Sequence, residues 1–183
     1  MWKPHKILYI ILLVLFFALG FCVGGMVMIG VPYTEMGTAH IDMADYPVPH
    51  NDDELNARIE EALQNMKEGS DRFKLWQIAD HLAQRIEYDA EQESPLDGLR
   101  TGRGECEVYS ELFYLMASRL GIETHICVGR VPGGGYHAWN MVVLDGKQYF
   151  YDVTWFDGVC RDYQYLCCPT PWGREYKFVQ IRG

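Results

Sequence analysis

Gly102-Arg103-Gly104-Glu105-Cys106-Glu107-Val108-Tyr109-Ser110 carries a glycine-punctuated loop straight into an apolar-periodic helix, with a cysteine at the junction. From Glu105 to Leu120, the residues Val108, Leu112, Leu115, Met116 and Leu120 fall close to one helical face, which puts Cys106 in the first turn. A cysteine attacks only as thiolate, and an ordinary thiol is mostly protonated at neutral pH. Unpaired backbone N–H groups and the macrodipole at a helix N-terminus favour the thiolate. The same N–H groups suit the oxyanion of a tetrahedral intermediate. Glu105 and Glu107 push the other way, because adjacent negative charge disfavours a second anion.

Downstream, Val142-Val143-Leu144, Asp145-Gly146 and Gln148 to Val153 read as a hairpin, Asp-Gly being a favoured two-residue turn. Pairing Leu144 with Lys147 sets His137 opposite Thr154 and makes Asp152 its diagonal neighbour on the same face. Backbone separation is then about 7–8 Å, within side-chain reach. A slip of one residue would put the two on opposite faces. The expectation is a His137–Asp152 contact between adjacent strands. A lone helical cysteine is usually core, and a lone strand histidine is usually only hydrogen-bonded. Cys106, His137 and Asp152 occur together, in order, each in a suitable context, and so read as nucleophile, base and orienting carboxylate.

These residues also carry a family resemblance. Gly-x-Cys at a helix start, Gly121-Ile122-Glu123-Thr124, His137-Ala138-Trp139-Asn140 and Tyr151-Asp152-Val153-Thr154-Trp155 resemble the transglutaminase-like, papain-fold superfamily over roughly Trp76 to Leu166. The resemblance implies an α+β fold, with the nucleophile helix packed on an antiparallel sheet that carries the His and Asp. It implies thiol acyl transfer more firmly than any substrate, since such families hold cross-linking enzymes, proteases, amidases and inactive members. It also implies a second oxyanion donor on an upstream polar or aromatic side chain, with Tyr88 and Gln92 as candidates.

Toward the N-terminus, residues 7–31 carry no charge over 25 positions, enough for one transmembrane helix after a short cytoplasmic stretch 1–6. A cleaved signal peptide competes through Ala18-Leu19-Gly20, but the apolar run continues for eleven residues beyond it. Lys3 and Lys6 before the span favour an extracytoplasmic C-terminal domain in the cell envelope. Residues 32–51 read as a linker and 52–183 as a single domain. Within that domain, Asp52 or Asp53 starts a helix to Met66 with Leu55, Ile59, Ala62, Leu63 and Met66 as its stripe. A second helix runs from about Ser70 to Ile86, burying Phe73, Trp76, Ile78, Ala79, Leu82, Ala83 and Ile86. Residues 89–104 form a loop, 122–128 a strand, and Gly133-Gly134-Gly135 a mobile connection.

All 25 acidic residues and 14 of the 16 basic ones lie beyond Val31, a formal charge of −11 that disfavours nucleic acid as a partner. The expected partners are a protein or peptide substrate and, through residues 7–31, the membrane. No cofactor is expected, and no metal, because the cysteines lack Cys-x-x-Cys spacing. Cys127, Cys160, Cys167 and Cys168 permit disulfides in an oxidising compartment, such as Cys160 with Cys167 or Cys168. The expected function is a membrane-anchored thiol enzyme that hydrolyses peptide or amide bonds, or cross-links them by transamidation. The alternative is a non-catalytic envelope binding module on the same scaffold.

Overall fold

A computed structural model describes residues 52–131, 135–158 and 160–178. The expected anchor at 7–31, the linker at 32–51 and most of the glycine run at 133–135 lie outside the described residues. Among the described residues, no helix is long and apolar enough to cross a membrane.

Asp52 accepts the Leu55 N–H at 2.9 Å and starts α1 (Asp53–Gln64), which buries Leu55 and Ile59. Ser70 caps α2 (Asp71–Arg85) in the same manner. Leu75, Ile78, Ala79 and Leu82, one i, i+3, i+4, i+7 row, are buried. Phe73 and Trp76, expected in the core, are instead 37 % and 36 % exposed and stack on each other with ring centroids 5.9 Å apart. The row from Leu75 fills the seam, leaving the two aromatics on its flank.

The expected loop at 89–104 is largely ordered. Strand β1 (Glu87–Tyr88) pairs in parallel with β2 (Arg103–Gly104). Between them stands α3 (Pro95–Thr101), capped by Ser94, with Pro95 in its first turn and Gly102 ending it at φ 71°. Helix α4 (Cys106–Arg119), which opens on Cys106, follows at once. It is central rather than one-faced: Val108, Tyr109, Leu112, Phe113, Met116 and Ala117 are all buried, with α2 and α3 on one side and the sheet on the other. A Cβ on Gly98 or Gly104 would come within 2.6 Å of the Val108 side chain, so both glycines serve close approach to α4.

Four antiparallel strands form the main sheet: β3 (Thr124–Arg130), β4 (Tyr136–Leu144), β5 (Lys147–Tyr151) and β6 (Glu175–Phe178), in spatial order β5-β4-β3-β6. The hairpin register is the expected one, with Leu144 opposite Lys147. Asp145 (φ 53°) and Gly146 (φ 72°) are both left-handed, as a type I′ turn requires. The ladder stops at Asn140–Tyr151, however. Asp152 is therefore not on a strand. Its Oδ1 accepts the Trp155 N–H at 3.0 Å and turns the chain into the one-turn helix α5 (Val153–Phe156). A side-chain cap here outcompetes the sheet ladder.

The main core joins α1, α2, α4 and the sheet. A second, smaller cluster holds Cys127, Trp139, Met141 and Phe150, with Trp172 and Tyr176 packed against it. Cys127 is thus a small core residue, and Cys106, Cys127, Cys160, Cys167 and Cys168 are all free thiols.

Candidate active site

Cys106 sits at the first position of α4, where the backbone N–H groups of the opening turn have no helical partners. Its lead-in is fixed by Glu105, whose N–H donates to the Gln92 carbonyl at 3.0 Å. The thiol is nearly enclosed, 9 % exposed. Burial pushes it up to about 11, and the charges of Glu105, Glu107 and Asp152 add to the rise, against a hydrogen bond from the Ala138 backbone that favours the thiolate. The helix terminus therefore does not leave a resting thiolate, as its position alone would suggest. Glu105 is itself pushed up to about 7 by burial and by the neighbouring Glu107 and Glu93.

The sulfur of Cys106 faces the backbone of Ala138, and Ala138 directly follows His137 on β4. His137 is 7 % exposed and Asp152 wholly buried; Nε2 of the imidazole lies 2.8 Å from Asp152 Oδ2. His137 also stacks on Trp139 (5.9 Å between ring centroids) and meets Trp155 at a tilt (5.5 Å). His137 and Asp152 thus meet, Asp152 arriving from a helix cap instead of a strand, and Cys106 lies against the backbone of the residue that follows His137.

Arg174 was missed by sequence reasoning. Its Nη1 donates to Asp152 Oδ2 at 2.6 Å, on the same oxygen that His137 engages, and its side chain is fully buried. The guanidinium lies over Trp155 at 3.9 Å, Trp172 at 4.7 Å and Trp139 at 5.1 Å. It is delivered by the turn Pro171-Trp172-Gly173-Arg174, with Trp172 at φ 55°, Gly173 at φ 72° and the Arg174 N–H closing onto the Pro171 carbonyl at 3.0 Å. The Pro-Trp-Gly turn signal was readable; its destination was not.

Of the two candidate oxyanion donors, Gln92 is used through its backbone. Tyr88 is 54 % exposed, and its phenol is raised by partial burial and then by the charges of Cys106 and Glu105. Among the described residues, no group of His, Cys, Asp and Glu is arranged to hold a metal ion.

The family model of the transglutaminase-like superfamily matches residues 57–156. Kyphoscoliosis peptidase of Mus musculus is 32 % identical over 57 % of this chain and 18 % of its own length. Kyphoscoliosis peptidase of Homo sapiens is 34 % identical over 43 % of this chain and 15 % of its own. The chain therefore spans less than a fifth of the curated relatives it matches. A crystal structure of a TGase superposes with a TM-score of 0.49 at 22 % identity, over 57 % of this chain and 31 % of that one.

Proposed function

The chain belongs to the transglutaminase-like superfamily, whose members include cysteine peptidases and transglutaminases, and on that premise we propose that it is a thiol acyl-transfer enzyme. Cys106 attacks a peptide or carboxamide carbonyl, and the carbonyl carbon gains the Cys106 sulfur. His137 takes the thiol proton and passes it to the leaving amine as the C–N bond breaks, leaving a thioester and a free amine. Water then hydrolyses the thioester in a peptidase or amidase; a second amine takes the acyl group in a transamidase. Hydrolysis is the reading adopted, supported by the name of the curated peptidase relatives. Asp152 holds His137 in one orientation, and the Cys106 N–H and the Tyr88 hydroxyl bind the oxyanion.

The observation that carries this reading is the buried His137–Asp152 hydrogen bond, positioned one residue along the strand from the backbone that Cys106 faces. Because the thiol is held high at rest, deprotonation belongs to the encounter with substrate, when His137 acts as general base. We further propose that residues 7–31 anchor the domain to a membrane with 52–183 on its outer side, on the strength of their charge-free length.

One observation favours a second reading, a non-catalytic envelope binding module: the elevated thiol flanked by Glu105 and Glu107. Labelling of the full chain by a peptidyl electrophile at pH 7, followed at Cys106 by mass spectrometry, separates the two. An enzyme loses about 10²-fold or more in labelling rate on His137→Ala. Equal rates in both proteins would leave the binding module.

A further inference from the structure

Asp152 Oδ1 takes the Trp155 N–H, and Oδ2 takes both His137 Nε2 and Arg174 Nη1. A carboxylate that serves a histidine alone donates its full charge to the imidazolium. Here a guanidinium shares the same oxygen, in a site closed to water. Arg174 has no other ionic partner among the described residues, and its Nε and Nη2 are buried with no hydrogen-bond partner among them. Its remaining contacts are the faces of Trp139, Trp155 and Trp172, and the first two of these indoles also contact the His137 ring. Arg174, Asp152 and His137 are therefore one packed unit in which the imidazole and the guanidinium are both seated by the same two rings.

The seat itself is built for close approach. A Cβ on Gly129 would lie 2.0 Å from the Glu175 carbonyl oxygen and 2.9 Å from Trp139. Only glycine lets β6 dock on β3 here, and docking of β6 is what delivers Arg174, its preceding residue.

We propose that Arg174 is a positioning residue for the acyl-transfer site, acting through Asp152: it offsets the carboxylate's charge at the oxygen that His137 shares, so that Asp152 orients His137 without strongly raising its affinity for a proton. This rests on the reading of Cys106 and His137 as nucleophile and base, and sharpens it. The titratable and charged groups around the imidazole are Asp152 at the start of α5, Cys106 on α4 with Glu105 and Glu107 beside it, Arg174 before β6, and Tyr165, whose phenol responds to both Arg174 and Asp152.

The test is NMR titration of the His137 ring in the full chain, assigned with His137→Ala, in the natural protein and in Arg174→Gln. Removing the guanidinium leaves Asp152 with His137 as its sole charged partner, and the ring midpoint rises by about one pH unit or more. Arg174→Lys, which keeps the charge, holds the midpoint close to that of the natural protein. An unmoved midpoint in a folded Arg174→Gln protein overturns the proposal, as does a lysine variant that shifts as far as the glutamine one. Should Arg174→Gln not fold, the ¹⁵N resonances of the Arg174 guanidinium in the natural protein decide. They follow the His137 midpoint if the three residues are one unit, and a guanidinium signal indifferent to it overturns the proposal. Cys106 labelling by the peptidyl electrophile is read separately, so failure of the acyl-transfer reading is distinguishable from failure of this one.

Discussion

Asn140 on β4 donates its side-chain amide to the Ser110 carbonyl on α4 at 2.9 Å, in a position sealed from solvent. Ser110 is one turn beyond Cys106, and Asn140 is three residues beyond His137. One buried hydrogen bond thus ties the helix that carries the thiol to the strand that carries the imidazole, and fixes how the two slide past each other. Asn140→Asp, which sets a carboxylate against that carbonyl, is expected to cost about 3 kcal/mol or more in urea unfolding. Asn140→Ala is expected to cost about 1–2 kcal/mol and to slow electrophile labelling of Cys106 in protein that remains folded. Undiminished labelling in Asn140→Ala would remove the bond from the list of devices that align the site.

The elevated Cys106 thiol has a consequence for stability at alkaline pH. A group whose pKa is higher folded than unfolded contributes stability that is complete below the unfolded value and is lost as pH rises through the folded one. For Cys106 the window runs from 9.0 to about 11. Denaturation measured across it is expected to show a decline on the order of 2 kcal/mol steeper in the natural protein than in Cys106→Ser, whose hydroxyl does not titrate there. Parallel curves would mean that the thiol ionises as freely folded as unfolded.

Glu105 gates the same thiol at a lower pH. Its carboxyl is pushed up to about 7 by burial, then by Glu107 and Glu93, so it gains its charge within the neutral range. By the same sign, its contribution to stability is complete below the ordinary carboxyl value of 4.5 and disappears as pH rises through about 7. Above that pH its charge opposes formation of the thiolate beside it. Glu105→Gln is expected to speed iodoacetamide modification of Cys106 severalfold at pH 8 and to leave it unchanged at pH 5.5. A uniform acceleration at both would point to altered packing, not to charge.

Gly129→Ala tests the docking of the last strand. Its added methyl would overlap the Glu175 carbonyl at 2.0 Å. The expected loss is about 1–3 kcal/mol, since backbone cannot swing aside as a flexible side chain can. A thermal melt reads it directly. Loss of protection at residues 174–178 in hydrogen exchange, with β4 and β5 unaffected, is the accompanying sign that β6 has come away.

Much of the central fold was legible because it is written in local periods. The α4 helix, the Asp145-Gly146 turn and the hairpin register each depend on residues within a few positions of one another. The register sets Asp152 beside His137, where it lies, but on the wrong element: alternation through Tyr151-Asp152-Val153 resembles a strand, whereas the bond from the Trp155 N–H makes Asp152 a helix cap. The exposure of Phe73 and Trp76 was hidden because an apolar stripe can be wider than the seam that receives it. The thiol's elevation was half readable in Glu105 and Glu107; the larger contribution, enclosure by the sheet, depends on distant residues. Arg174 lies 22 positions beyond Asp152 and belongs to no hydrophobic period, so only the return of the chain along β3 brings it to the site.

The origin of Arg174 has a consequence for variation of this site. Cys106, His137 and Asp152 all fall within the stretch 57–156 that defines the superfamily, whereas the guanidinium that meets Asp152 falls outside it. Exchange of the segment that follows the matched region would therefore change the charge that meets Asp152 while Cys106, His137 and Asp152 stay as they are. Chimaeras grafting other C-terminal segments onto residues 52–158 would vary that one charge as an adjustable dial, separate from the scaffold that holds the other three residues.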